Sequence, residues 1–394
     1  MTLNNEYKEL LMDPKKIWLS SPHMGGGELK HVNEAYYSNW VAPLGSNVDG
    51  FEQDIQTYTG SNHCAVLSSG TAALHLALIM AGVEPDDYVI CQSMTFSASA
   101  NPIVYLGANP VFIDSEADTW NMNPTILENA ILDLAKKSIK PKAIIPVHLY
   151  GMPARLDQII EIANKYNIHV IEDAAESLGS NYKSKATGTF GEMGILSFNG
   201  NKIITTSGGG AIISDNQDLI KEARFLATQA RDKAPHYEHS HIGYNYRMSN
   251  ILAGIGRGQA KVLEERVRQR RAINSWYREF LSEIDGIEFQ SEPNSHSFSN
   301  FWLTAIIIDS SKVGLTREDV RLKLLVDNIE SRPLWKPMHL QPVFKHCLHY
   351  GTEVSDNLFE NGLCLPSGSN LNEDDKKRIK KSILKLIPTH QLDI

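Results

Sequence analysis

The chain has few cysteines, and their spacing pairs none of them. Cys64, Cys91, Cys347 and Cys364 are scattered over 394 residues. A disulfide framework or a cysteine zinc site is therefore not expected, and the thiols read as free in a reducing compartment. No apolar run is long enough to span a bilayer. No basic block occurs and the net charge is -8, so nothing electrostatic draws the chain to nucleic acid. Met1 to Lys16 mixes charges around a short Leu10-Leu11-Met12 patch and lacks the basic start and apolar core of a secretion signal. The expectation is a cytoplasmic protein with neither membrane nor nucleic-acid partners. Internal repeats and low-complexity tracts are missing too. So are a G-x-x-x-x-G-K-[ST] loop and, after the first strand, a G-x-G-x-x-G turn, which disfavours nucleoside triphosphates and dinucleotides.

What is present is a rhythm of short apolar strands and helices. Cys64–Leu67, Tyr88–Cys91, Val111–Ile113, Ala143–Val147 and His169–Ile171 read as strands, with helices between them. That alternation predicts an α/β fold with a mostly parallel sheet covered on both faces. Gly194–Phe198 and Ala211–Ser214 follow with no helix between, so one of them is expected to run antiparallel. Ile251 to Phe280 reads as one long helical region, and a smaller α+β region follows it. The domain reading is a lead-in over 1–30, a large domain over 31–260, and a linking helix with a small C-terminal domain over 261–394. Glu28–Trp40 has helical spacing that puts Leu29, Val32, Ala35, Tyr36 and Trp40 on one side.

Ligands of open parallel sheets bind beyond the carboxyl ends of the strands, and three turns there carry chemistry. Ser68-Ser69-Gly70-Thr71 enters a helix. Its hydroxyls, a glycine permitting close approach and the free N–H groups of a helix start make an anion site, most simply for one phosphate; plain N-capping is the alternative. Glu172-Asp173-Ala174-Ala175-Glu176 ends an apolar strand with three carboxylates, which are costly unless something positive meets them. A metal or a cationic ring nitrogen would serve, and so would a solvated acidic helix start. The third turn sets Lys202 between a strand ending at Ser197-Phe198 and Thr205-Thr206-Ser207 with Gly208, Gly209 and Gly210. A phosphate site, an acid and a lysine together fit pyridoxal phosphate, with the lysine forming a Schiff base and the acid holding the ring nitrogen protonated.

Ser68-Ser-Gly-Thr-Ala-Ala-Leu-His75, Thr95-Phe96, His148-Leu-Tyr-Gly151, Glu172 to Gly179, Gly188-Thr-Phe-Gly191, Ser197-Phe198, Lys202 with Thr205-Thr206, and Gly243-Tyr-Asn-Tyr-Arg247 occur in an order that resembles the DegT/DnrJ/StrS sugar aminotransferases. The likeness covers about residues 17 to 390. Asn199 to Gly210, Thr228-Gln-Ala-Arg231 and Arg332-Pro-Leu-Trp-Lys-Pro-Met-His339 narrow it to something similar to the UDP-N-acetylbacillosamine aminotransferases. Where many members carry an acid after the lysine, this chain has Ser207 and three glycines.

The resemblance implies a fold-type I pyridoxal 5'-phosphate enzyme and a homodimer with shared active sites; no metal is expected, because the histidine spacing is loose and no cysteine or paired aspartate completes a ligand set. It implies Lys202 as the catalytic lysine and Asp173 at the ring nitrogen. Phe96 would stack on the ring, and Ser69, Gly70, Thr71 and Ser197 would hold the phosphate. Glu176 would lie near the cofactor, and Asn245 would reach the partner subunit's cofactor. Arg247, Lys336 and His339 would face substrate. The implied reaction takes an amino group from L-glutamate to a UDP-linked keto sugar, at C4 of UDP-2-acetamido-2,6-dideoxy-4-hexulose. Amination at C3 or with the other C4 stereochemistry stays open. A dehydratase of the same fold would carry His in place of Lys202, and a regulator would carry a fused basic module. Arg332 is offered for the glutamate carboxylate from charge alone. His346 and His349 read as solvated on a surface helix turn, His236, His239 and His241 as a loop rather than a metal site, and Trp302 and Trp335 as core before pocket.

Overall fold

The structure is a computed structural model that describes residues 16–387; the Leu10-Leu11-Met12 patch lies outside them. In chain order the elements are α1 (Glu28–Tyr37), α2 (Ser46–Thr59), β1 (His63–Leu67), α3 (Gly70–Met80), β2 (Tyr88–Gln92), α4 (Asn101–Tyr105), β3 (Asn109–Ile113), α5 (Pro124–Lys136), β4 (Ala143–Ile145), α6 (Leu156–Tyr166) and β5 (His169–Asp173). A hairpin of β6 (Asn181–Tyr182) and β7 (Lys185–Ala186) precedes β8 (Met193–Ser197), β9 (Gly210–Ser214) and α7 (Gln217–Ala227). Then come α8 (Asn250–Ala260), α9 (Leu263–Leu281), β10 (Ile287–Phe289), β11 (Ser297–Phe298), β12 (Thr304–Ile308), α10 (Ser310–Val313) and α11 (Arg317–Val326). The last are β13 (Arg332–Pro333), β14 (Leu348–Tyr350), α12 (Val354–Asn361), β15 (Gly362–Leu365) and α13 (Glu373–Leu384).

Eight strands make the main sheet, in the order β1-β9-β8-β5-β4-β2-β3-β14. Pairing is parallel from β8 through β14, while β9 runs antiparallel to both β8 and β1. The expected α/β fold is thus present, and the antiparallel strand is β9. Apolar side chains from both faces are buried: Ile145, Ile171 and Ile212 pack with α3 and α7, while Ile144 and Val170 pack with α5 and α6. A second, antiparallel sheet, β10-β12-β15-β13, gathers its own core from Ile306, Leu363, Tyr277 and Ile379. Among the described residues no helix is long and apolar enough to cross a membrane.

Three local readings are corrected. The long helical region is two helices, broken at Lys261–Val262. The buried face of α1 is Glu28, His31 and Ala35, while Leu29, Tyr36 and Trp40 are exposed. The second of these traces to glycines in α8. A Cβ on Gly258 would lie 2.6 Å from Glu28 Cα, and one on Gly254 would lie 3.1 Å from the His31 carbonyl carbon. Backbone contact of this closeness sets the rotation of α1 ahead of its apolar spacing. Finally, His349 is on no helix. It lies in β14, which adds to β3 at the edge of the main sheet, and its ring stacks on His339 with centroids 3.6 Å apart.

Candidate active site

A cavity of about 270 Å³ opens at the carboxyl ends of the central strands. It is lined by Ser69, Gly70, Thr71, Phe96, Asp173, Glu176, Ser197 and Lys202, with Trp302 and Trp335. The three chemically loaded turns therefore meet in one place.

The first turn reaches the cavity because β1 feeds straight into α3. Ser69 caps the helix, its hydroxyl accepting from the Ala72 N–H at 3.0 Å. Capping and anion binding are compatible here, since one hydroxyl does not satisfy all the N–H groups a helix start leaves open. A Cβ on Gly70 would stand 3.1 Å from Ser197 Cβ, so glycine lets α3 abut the end of β8.

The second turn divides its carboxylates, as alternation along β5 requires. Asp173 faces the cavity. Its Oδ2 accepts from Ser99 Oγ at 2.6 Å and its Oδ1 from the Ala175 N–H at 3.1 Å, while Ser99 also bonds Thr95 Oγ1 at 2.7 Å. Glu172 is turned to the other side, fully buried, and accepts from the N–H groups of Gly188, Phe190 and Gly191. It fixes a loop. Glu176 returns to the cavity with Oε1 3.6 Å from Lys202 Nζ. Burial raises its carboxyl above the ordinary value, opposed by the Lys202 charge.

The third turn closes on Phe198, whose N–H donates to the Gly209 carbonyl and whose carbonyl accepts from the Thr206 N–H. Lys202 projects from it nearly buried, its Nζ 4.2 Å from the Trp302 ring centre. The left-handed residue of this turn is Ser207, at φ 74°, not a glycine. The glycines serve close packing instead: a Cβ on Gly210 would come 2.4 Å from the Gly70 nitrogen.

Several expected contacts lie elsewhere. Arg247 Nη1 donates to Glu52 Oε1 at 2.9 Å and to the Val66 carbonyl behind β1, so it does not face the cavity. His339 is held between Ser93 Oγ at 2.6 Å and Asp356 Oδ1 at 3.0 Å. Arg332 pairs with Glu330 and lines a separate groove. Lys336 and Asn245 are exposed and outside this chain's cavity. His236, His239 and His241 are exposed. Trp302 is core and pocket at once, and Trp335 lines the cavity with its indole Nε1 donating to Glu176. Ser99 was missed: nothing in its local spacing marks it, and only the fold brings it under Asp173.

Chemically the cavity offers an anion site at a helix start, a buried carboxylate for a cationic nitrogen, a primary amine and an exposed flat ring, Phe96. That set fits a phosphorylated pyridinium aldehyde.

Known proteins agree. The sequence model of the DegT/DnrJ/EryC1/StrS aminotransferase family matches residues 22–384. The chain is 52% identical over 379 residues to EpsN of Bacillus subtilis (strain 168), named as a pyridoxal phosphate-dependent aminotransferase, covering 95% of this chain and 97% of that protein. It is 35% identical to GDP-perosamine synthase of Caulobacter vibrioides over 369 residues, 94% of this chain and 98% of that one. The crystal structure of a DegT DnrJ EryC1 StrS aminotransferase from Brucella abortus superposes with a TM-score of 0.85 at 30% identity, covering 91% of this chain and 95% of that one.

Proposed function

The chain belongs to the DegT/DnrJ/EryC1/StrS aminotransferase family, and from that premise we propose that it transfers an amino group from L-glutamate to C4 of UDP-2-acetamido-2,6-dideoxy-4-hexulose, for bacterial surface glycans. The enzyme is a pyridoxal phosphate-dependent aminotransferase of the fold-type I class. The observation that carries the reading is the convergence of Lys202, Asp173 and the start of α3 on one cavity.

When bound, pyridoxal phosphate supplies an aldehyde that captures amines and a ring that accepts electrons. Ser69, Gly70, Thr71 and Ser197 would hold the phosphate with the first N–H groups of α3. Asp173 would keep the ring nitrogen protonated, its carboxylate aimed by Ser99 and the Ala175 N–H. Phe96 would cover the ring. Lys202 would hold the cofactor through its amine and, once free, its Nζ would take the proton from the glutamate Cα and give one to the sugar carbon. Glu176 stays beside that amine, and the indoles of Trp302 and Trp335 exclude water. Lys336, exposed beyond Trp335, contacts the nucleotide sugar. Residues 31–260, joined by strand β14, would form the cofactor-binding domain, and the rest of 261–387 the linking helix and small domain.

The protein works as a cytoplasmic homodimer in which Asn245 reaches the partner's cofactor. Exposed Tyr36, Tyr37, Trp40 and Ile242 support this, since large apolar side chains left in water suit a contact surface. A second reading, a GDP-linked 4-keto sugar as acceptor, is favoured by the 35% identity to GDP-perosamine synthase. Assay of the purified enzyme with glutamate against UDP-, GDP- and TDP-linked 4-keto sugars decides between them. The UDP substrate should be aminated at C4 at the highest kcat/KM; preference for the GDP sugar would replace the first reading with the second.

A further inference from the structure

Arg270 is fully buried on α9, and among the described residues no carboxylate pairs with it. Its Nη1 donates to the Trp302 carbonyl at 2.8 Å, its Nη2 to Ser20 Oγ at 2.8 Å, and its Nε has no partner. Burial and the neighbouring Arg266 charge lower its guanidinium to about 9. An unpaired cation inside a protein is costly, and an apolar side chain would fill the space without that cost. The two groups it holds point to what it does.

Both donate onward to a single atom. The Trp302 indole Nε1 donates to the Asn201 carbonyl at 2.7 Å, and Ser20 Oγ donates to the same oxygen at 2.6 Å. That carbonyl belongs to the peptide bond that enters Lys202. The other side of the peptide is fixed as well, since the Lys202 N–H donates to the Asn199 carbonyl at 3.1 Å. Trp302 meanwhile presents its ring to the Lys202 amine. Its own N–H donates to Asn300 Oδ1 at 2.8 Å, and Phe301 just before it takes a left-handed φ of 45°. Ser20 lies in the lead-in, which is tied to the small sheet: Ile17 bridges Ile329, and the Ser367 N–H donates to the Leu19 carbonyl at 2.8 Å. The lead-in is thus a strap that brings one hydroxyl to the lysine turn.

We propose that Arg270 is a positioning residue for Lys202: it clamps Trp302 and Ser20 so that both hold the Asn201 carbonyl, and the Lys202 amine stays directed into the cavity. The inference rests on Lys202 being the reacting lysine. A base displaced by about 1 Å loses on the order of 10²-fold in rate, while substrate affinity, made by other groups, changes little.

The test uses Arg270→Lys, Arg270→Met, Ser20→Ala and Trp302→Phe, with Lys202→Ala as reference. The cofactor-free proteins are treated with an aromatic aldehyde and borohydride, and labelling of Lys202 is read by peptide mass spectrometry against exposed Lys221 in the same sample. Ser20→Ala, Trp302→Phe and Arg270→Met should each slow Lys202 labelling about 10-fold relative to Lys221 and lower kcat about 10- to 100-fold, with KM for glutamate within about threefold. Arg270→Lys should restore part of both. Circular dichroism checks folding. If Arg270→Met does not fold, Ser20→Ala and Trp302→Phe decide. Folded variants that label Lys202 at the wild-type rate and keep kcat overturn the proposal. Transamination that survives Lys202→Ala would instead sink the active-site reading itself.

Discussion

Glu172→Gln separates a structural carboxylate from its ligand-binding neighbours. Glu172 is completely buried, and four donors meet it. Oε1 accepts from the N–H groups of Phe190 and Gly191, each at 2.6 Å; Oε2 accepts from the Gly188 N–H at 2.8 Å and from His148 Nε2 at 3.1 Å. The imidazole donates there because its Nδ1 accepts from the Ala154 N–H. Glutamine keeps one oxygen and turns an NH2 group toward the other pair of donors. At least two buried donors are then stranded, at about 1–3 kcal/mol each. The total loss should be about 2–6 kcal/mol, the sum over two stranded donors. Urea unfolding followed by tryptophan fluorescence reads it as a lower midpoint at unchanged slope. The folded fraction should still bind cofactor, because the Glu172 carboxylate faces away from the cavity. A loss below about 1 kcal/mol would refute the reasoning, as would a variant that is stable yet cannot bind cofactor.

Other outcomes follow from the same geometry. Asp173→Asn should leave the urea midpoint near wild type but remove the charge that holds the ring nitrogen protonated; a half-reaction with glutamate slowed at least about 10²-fold is expected in stopped-flow absorbance. Gly210→Ala should weaken cofactor retention on dialysis and cost about 1–3 kcal/mol, since the new methyl would overlap the Ser69–Gly70 backbone, which cannot swing aside as a side chain can. Burial is the leading cause that lowers the proton affinities of His23, His75 and His349 below their ordinary value of 6.5. Their unfolded forms bind protons more readily, so their contribution to stability is present above that value and is lost as pH falls below it. His349→Gln should flatten the melting temperature between pH 5 and 7 by its share, measured by calorimetry; an unchanged slope would contradict it.

The parts of this site that were legible in the sequence are local. A serine-glycine-threonine turn between a strand and a helix, an acid closing an apolar strand and a lysine beside glycines each carry their chemistry within a few residues. The division between Glu172 and Asp173 needed the alternation of β5 and a loop 16 to 19 residues on to show which carboxylate was already satisfied. Strand β14 was hidden because three residues have no periodicity of their own and are held by β3, far away in sequence. The family likeness points Arg247 and His339 at substrate but says nothing of side-chain direction; Glu52 and Ser93 take them elsewhere. The lead-in carried no motif at all, and Ser20 has meaning only where the fold lays it against Asn201.

The central claim is that Lys202 carries the cofactor. The holoenzyme as purified should be reduced with borohydride, digested and examined by tandem mass spectrometry. The account predicts one pyridoxyl-phosphate group, on Lys202, and its loss when the enzyme is treated with L-glutamate before reduction. Modification of another lysine instead, or a glutamate-insensitive label on Lys202, would contradict it.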